Sequence, residues 1–337
     1  VTPASAANRY RDRLLALIGF VLSVAALRAS YPVTMPALFA GMIVAALWPL
    51  KCWLQRWVPS WLSYALTVLA LLIMLAGFAA AVYLSIGQLV TVAGDRWPQI
   101  EELYASAAGE ARQWGIRLNG AADRNRILGA IQMLASGAYS FATYTGFIGL
   151  LVVLGLPEVP RLRQKMNAEM DGEAREKLRD TVSSISEQVR GYFGVTLATS
   201  VLTGVASTGW ALMTGLELPF VWGLLNFLLN FVPVIGNIIG IVPPVLYAFL
   251  QFGGFGMPLL VFVGFAILQI AISNFVYPIL QGRQLSLSPL AIVMAMTFWG
   301  WIWGVTGALI AVPLTAAVVI VCGHFDRSRW VAKILSA

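Results

Sequence analysis

Apolar residues along this chain come in long unbroken runs: 14–29, 32–50, 61–90, 138–156, 192–215, 219–251, 257–280 and 289–322. Several exceed the roughly 20 residues that carry a helix across the hydrocarbon core of a bilayer. None alternates apolar and polar positions as a transmembrane β-strand does. The pattern predicts an all-α polytopic membrane protein with six to eight membrane segments. It divides the chain into N-terminal membrane helices (1–90), an extramembrane segment (91–137), a membrane helix (138–157), a charged segment (158–190), a C-terminal membrane unit (191–323) and a basic tail (324–337). The start, with Arg9, Arg11 and Arg13 before an apolar core, has the outline of a secretory signal. Arg28 lies where small residues mark a cleavage site, and further spans follow at once, so the expectation is a retained first span.

Between the runs the periodicity changes. Ile100, Leu103, Tyr104, Ala107, Ala111 and Trp114 recur at helical spacing within 91–137, which predicts one or two amphipathic helices outside the membrane core. Residues 158–190 hold seven basic and seven acidic side chains. Leu178, Val182, Ile185 and Val189 draw one apolar seam along that charged helix, able to pack on a neighbouring helix or subunit.

Composition agrees with the runs. Of 337 residues, 59% are hydrophobic and 11% charged, with mean hydropathy +0.80. A soluble domain carries about a quarter of its residues as charges. The net charge of +7 comes largely from Lys and Arg near the ends of the runs, as the positive-inside tendency places them, and gives no basic face for nucleic acid. Those counts put both termini and 158–190 in the cytoplasm and 91–137 outside. Cys52, Cys322 and the single His324 cannot assemble a Cys/His zinc motif or a His-based catalytic set, so no cofactor and no enzymatic activity are expected.

Two runs are too long for ordinary spans. Residues 219–251 would make a straight helix of about 50 Å, against a core of about 30 Å. The run 289–322 is as long, and both are interrupted near the middle, by Pro233 to Gly236 and by Gly300 to Gly307. Each is therefore either a kinked span or a re-entrant helical hairpin with its tip at the break. The hairpin form is favoured, since it puts Arg283 inside and makes two helix-plus-hairpin units of opposite orientation, an inverted repeat. The units share a faint echo, Ile239-Gly-Ile-Val-Pro243 and Leu309-Ile-Ala-Val-Pro313.

The stretch NFLLNFVPVIGNIIGIVPPVLYAFLQFG (226–253) resembles the N-x-I-P-x-x-G-x-x-x-G-x-x-P signature of the AI-2E family, the autoinducer-2 exporter-like transporters of bacteria. NFVYPILQGRQLSLSPLAIVMAMTFWGWIWGVTGALIAVPL (274–314) is similar to that family's second signature, ending in G-x-x-G-x-x-x-A-x-P. The chain departs from the pattern at Val234, where many relatives have an aromatic, and at Asn237, often a proline. The resemblance implies an inner-membrane permease, homo-oligomeric, exporting a small signalling molecule. Some relatives are instead sodium (or lithium)/proton antiporters.

The residues themselves favour a small polar solute. Antiport needs a titrating or ligating group in the membrane, and Glu217, beside Pro219, is the only carboxylate between 191 and 322. It is the candidate for ion coupling. Amides offer donor and acceptor without a buried charge. Asn226 and Asn230 share a helix face, and Asn237 and Gly240 follow the Pro233–Gly236 break. Gln269, Asn274, Tyr277, Gln281 and Arg283 are candidates to complete the lining, with Gly304, Gly307 and Pro313 bending the second broken segment. The same amides would equally serve as hydrogen-bonding glue between helices. The two topologies separate at one position. With Arg283→Cys in a Cys-free background, an impermeant thiol reagent added to intact cells should leave the hairpin form unlabelled, and labelling from outside would establish kinked spans.

Overall fold

The computed structural model describes residues 3–99, 101–102, 124–169, 172–232, 235–281 and 287–324. The amphipathic positions from Ile100 to Trp114 lie outside the described residues or carry no described side chain, as do Pro233, Val234 and Arg283 and the side chain of Gln281. All regular elements among the described residues are helices: α1 (Pro3–Ala29), α2 (Tyr31–Leu54), α3 (Ser60–Asp95), α4 (Arg124–Glu169), α5 (Gly172–Met213), α6 (Pro219–Leu229), α7 (Ile235–Ile239), α8 (Val242–Phe252), α9 (Gly256–Ala271), a π-helical turn (Ile272–Val276), α10 (Tyr277–Gln281) and α11 (Pro289–His324). Six stretches are long and apolar enough to cross a bilayer: 31–54, 60–92, 143–169, 175–213, 256–280 and 290–323.

Exposure is inverted relative to a water-soluble domain. Leu72, Ile73, Leu84, Val205, Leu246, Leu259, Ile267 and Val293 are exposed, while Ser63, Thr67, Thr199, Ser200, Thr203, Asn226 and Gln269 are buried. Apolar side chains cost nothing against lipid tails, whereas polar groups must find partners inside the protein. The chain is a multi-pass membrane protein built on that rule. The charged segment 158–190 is not an independent helix: its described residues continue the apolar stretches of α4 and α5. Of its expected seam, Leu178 and Val182 are exposed and Val189 is buried.

Two compact units divide the chain. One comprises 1–48, 150–190 and 285–337, the other 49–149 and 191–284. Each contains one of the over-long apolar runs, and in each the run folds back on itself. In the second unit Asn226 and Gly240 are 14 residues apart, about 21 Å along a straight helix, yet the Asn226 amide donates to the Gly240 carbonyl at 3.2 Å. In the first unit Trp299 and Thr315 are 16 apart, about 24 Å on a straight helix, and the Trp299 indole donates to the Thr315 hydroxyl at 3.0 Å. Both runs are helical hairpins and neither is a kinked rod. The first turns between α6 and α7. The second turns inside α11 at Trp303 (φ −124°, ψ 15°) and Gly304 (φ 65°, ψ −147°), a conformation that glycine alone adopts readily.

The same device closes both. A Cβ on Gly236 would lie 1.7 Å from the Leu229 carbonyl oxygen, and one on Gly307 would lie 2.0 Å from that of Trp299. Each is a backbone contact across the hairpin, so no side-chain movement could relieve the clash. In the second unit α9 lies along α8, around a core of Trp222, Tyr247, Val261 and Phe265. In the other unit the tip of α11 is held by α1: the Trp303 indole donates to the Leu27 carbonyl at 3.0 Å, and the Arg28 guanidinium lies 5.0 Å from the centre of the Trp301 ring. Gly236→Ala and Gly307→Ala should each cost about 1–3 kcal/mol or more and lower the unfolding temperature of the purified protein in detergent. Gly87→Ala, with open space around the added methyl, should leave it unchanged.

Candidate polar site between the first hairpin and α5

Helix α5 carries Thr196, Thr199, Ser200, Thr203 and Ser207 through its apolar part, one turn apart except for the adjacent pair 199 and 200, with Thr214 just beyond its end, all of them buried. Spacing of that kind puts the hydroxyls on one face. An apolar helix tolerates them because a threonine can return its proton to the carbonyl one turn back. Thr199 does so to Val195 at 3.0 Å, Thr208 to Gly204 at 2.9 Å and Thr214 to Trp210 at 2.9 Å. The sequence signal for this face was its 3–4 spacing of Ser and Thr inside a hydrophobic run. Ser and Thr are ordinary in membrane helices, so this signal is weaker than that of the asparagines.

The first hairpin lies across this face at glycine contacts. A Cβ on Gly223 would sit 1.8 Å from the Thr208 hydroxyl and 2.7 Å from the Gly204 carbonyl oxygen. A Cβ on Gly204 would meet Phe227 at 3.0 Å. One turn on, the Asn230 amide donates to Thr199 at 3.2 Å and to Ser200 at 3.0 Å. These pairs run antiparallel, 208 with 223, 204 with 227 and 200 with 230.

Asn226 is the centre of the arrangement and is fully buried. Its amide nitrogen donates to the Trp222 carbonyl at 2.9 Å and to the Gly240 carbonyl on the other limb at 3.2 Å. Two acceptors on that side leave the side-chain oxygen of Asn226 as an acceptor, and Gln269 of α9 fills it with its Nε2 at 2.8 Å. The remaining oxygen of Gln269 is buried with no partner among the described residues, as is the Thr203 hydroxyl. A Cβ on Gly240 would come within 2.4 Å of the Asn226 oxygen, so that glycine is part of the same contact. Nearer the tip, Asn237 donates to Ser273 at 2.6 Å. Ser273 lies in the π-helical turn, an interruption that often accompanies function.

The other expected positions divide. Asn274 is exposed and turned to its own helix, donating to Ile270 at 3.1 Å. Gly304, Gly307 and Pro313 belong to the second hairpin, in the other unit. Glu217 sits at the base of the first hairpin, in an ion pair with Arg96 beyond the end of α3 and accepting from the Tyr247 hydroxyl at 2.5 Å. Its backbone is held equally firmly. Its N–H donates to Gln251 at 2.8 Å, and its carbonyl accepts from the Trp222 indole at 2.8 Å. Gln251 also donates to the Gly215 carbonyl at 2.7 Å. These bonds join both ends of the hairpin and stabilise a turn in which Leu218 takes φ 60°, unfavourable for a residue with a side chain. Glu217 is a clasp. Beside the glycine crossing, a groove of about 780 Å³ opens between α3, α5 and α6. Its walls are mainly apolar, with Ser85, Gln88 and Thr208 as exceptions, which suits hydrocarbon better than a polar solute. Among the described residues, no group of three or more His, Cys, Asp or Glu side chains is placed to hold a metal.

Comparison with known proteins places this architecture in context. The family model described as AI-2E family transporter matches residues 14–327. The AI-2 transport protein TqsA of Escherichia coli (strain K12) is 34% identical over 190 residues, 56% of this chain and 53% of that protein. A Haemophilus influenzae protein named as a transport protein is 26% identical over 91% of both chains. A sodium-lithium/proton antiporter of Halobacillus andaensis is 27% identical over 55% of this chain and 52% of its own length. The match to TqsA thus spans about half of that protein, whereas the Haemophilus match runs nearly end to end. Loss of Asn226 would leave the Gln269 amide and the Gly240 carbonyl without their partner. Asn226→Leu should therefore reduce stability by about 1–3 kcal/mol, measurable by titrating the purified protein from mild detergent into a denaturing one.

Proposed function

This chain belongs to the AI-2E transporter family, and from that premise we propose that it exports a small neutral polar solute, of the autoinducer-2 kind, across the bacterial inner membrane. The observation that carries this reading is the uncharged polar seam of the second unit: α5 hydroxyls, Asn226 and Gln269, buried among apolar helices, with the half-buried Asn230 and Asn237 beside them. Amides and hydroxyls can exchange their mutual hydrogen bonds for bonds to a solute bearing hydroxyl or carbonyl groups. The name of the TqsA relative points to the same class of molecule.

Limb lengths support re-entry for the first hairpin. Helices α6 and α8 have 11 residues each, about 16 Å, half of a hydrocarbon core of about 30 Å. The second hairpin, in the other unit, is likewise a discontinuous helical element, the kind of element with which transporters hold solutes near the midplane. We also infer that both termini are cytoplasmic and that the chain works as a homo-oligomer, the exposed Leu178 and Val182 seam being available to a neighbouring copy.

Cation/proton exchange, the activity in the Halobacillus relative's name, finds less support. Glu217, its candidate carboxylate, is already engaged by Arg96 and Tyr247. Metabolite-wide comparison of the medium of cells with and without the protein tests the proposal, and the expected result is one or a few neutral polar compounds enriched outside. Asn230→Ala and Asn237→Ala should reduce that enrichment several-fold while leaving membrane insertion and assembly intact. Unchanged enrichment in both would remove the seam from the pathway.

A further inference from the structure

The hydrogen bonds around Asn226 determine which atom of Gln269 is left over. Asn226 gives both amide protons to carbonyl oxygens, of Trp222 and Gly240, so it can only accept from Gln269. Gln269 must therefore present its nitrogen to Asn226 and turn its oxygen away, a buried acceptor without a donor among the described residues. Thr203 and Thr196 are further exceptions. Thr199 and Thr208 on the same helix close on the carbonyl one turn earlier, but the Thr196 and Thr203 hydroxyls are buried and make no hydrogen bond among the described residues, and of the two Thr203 lies nearer the level of Asn226.

The register brings Thr203 and Gln269 to neighbouring levels. With 200 opposite 230, 204 opposite 227 and 208 opposite 223, the antiparallel pairing of α5 and α6 sets Thr203 opposite 227–228, within one turn of Asn226, and Asn226 is where Gln269 reaches in from α9. An amide oxygen calls for a donor. A threonine hydroxyl supplies a donor or an acceptor. The group that completes both is a hydroxyl. We propose that Thr203 and the Gln269 amide oxygen form a contact for a hydroxyl group of the transported solute, one hairpin turn below the tip at Asn237. The proposal rests on the transport reading above and narrows it: the solute is a neutral molecule with at least one free hydroxyl, and polar molecules without a donor are disfavoured. The seam's lack of charge and the predominance of hydroxyls on α5 are consistent with that choice.

The test uses the purified full chain in liposomes loaded with labelled erythritol, which has hydroxyl donors, or trimethylamine N-oxide, a strong acceptor with none. The wild type should release erythritol at least about tenfold faster than the N-oxide, the factor that one neutral hydrogen bond supplies. Thr203→Val keeps the shape and removes the hydroxyl. It should lower erythritol release about tenfold without lowering the unfolding temperature, because in the folded protein that hydroxyl has no partner to lose. Thr203→Ser should restore release. Equal erythritol release by the valine variant, or equal passage of both solutes through the wild type, overturns the contact. Failure to carry erythritol by protein that still carries a metabolite enriched by cells overturns it while leaving the transport reading intact. Absence of any solute flux from folded protein overturns both.

Discussion

A glycine resting on the carbonyl oxygen of the opposite limb is the contact on which this architecture depends. A backbone that reverses direction at membrane depth cannot leave its peptide groups facing lipid. It must turn while buried in protein, and the two limbs must come close enough to exclude hydrocarbon. Gly236 against Leu229 and Gly307 against Trp299 bring the limbs to backbone contact. Any side chain at either position would force them apart and open the turn. The polar bonds across each hairpin, Asn226 to Gly240 and Trp299 to Thr315, can form only because that approach has been made. Glycine packing comes first, and hydrogen bonding depends on it.

That order explains why the asparagines are not faults in a membrane helix. A buried amide left unpaired would cost about 1–3 kcal/mol, so each must be balanced by a neighbour. Asn226 spends its donors on the hairpin itself, Asn230 on α5 and Asn237 on the π-helical turn. The three bonds run in three directions from one short element and tie it to each surrounding structural piece. An element held this way by neutral bonds can be released by exchanging them one at a time. An ion pair at the same depth would have to be broken as a whole, at the cost of a desolvated charge.

Much of this was legible before any coordinates. Long unbroken runs gave the helical membrane class, and the excess length with breaks at Pro233–Gly236 and Gly300–Gly307 gave two hairpins in preference to kinked spans. The sequence also singled out Asn226, Asn230, Asn237, Gly240 and Gln269, which the fold gathers into one unit. What escaped was three-dimensional register. Thr203 looks like any threonine in α5; only the pairing with α6 shows it within one turn of Asn226. Asn274 shares its composition signal with Asn237, yet it turns to its own helix. One sequence offers no means of distinguishing an amide that faces a neighbour from one that caps its own carbonyl. Arg96, the partner of Glu217, lies 121 residues earlier in the chain and shares no local pattern with it.

The pairing of Glu217 bears on what the protein can carry. Its carboxylate is in an ion pair with a guanidinium and accepts from a phenol, and both hold it in place. Releasing it to bind a proton or sodium ion would strand Arg96, and would also loosen the turn in which Leu218 is held at φ 60°. Coupling at this residue would therefore disturb the base of the hairpin, the region from which both limbs start. The seam higher up has no such constraint. Its groups are neutral, and Gln269, Thr203 and Thr196 have bonding capacity that no described residue uses. A transport element with a rigid charged base and an adaptable neutral interior discriminates by hydrogen-bonding pattern, and charge plays its part in keeping the base closed.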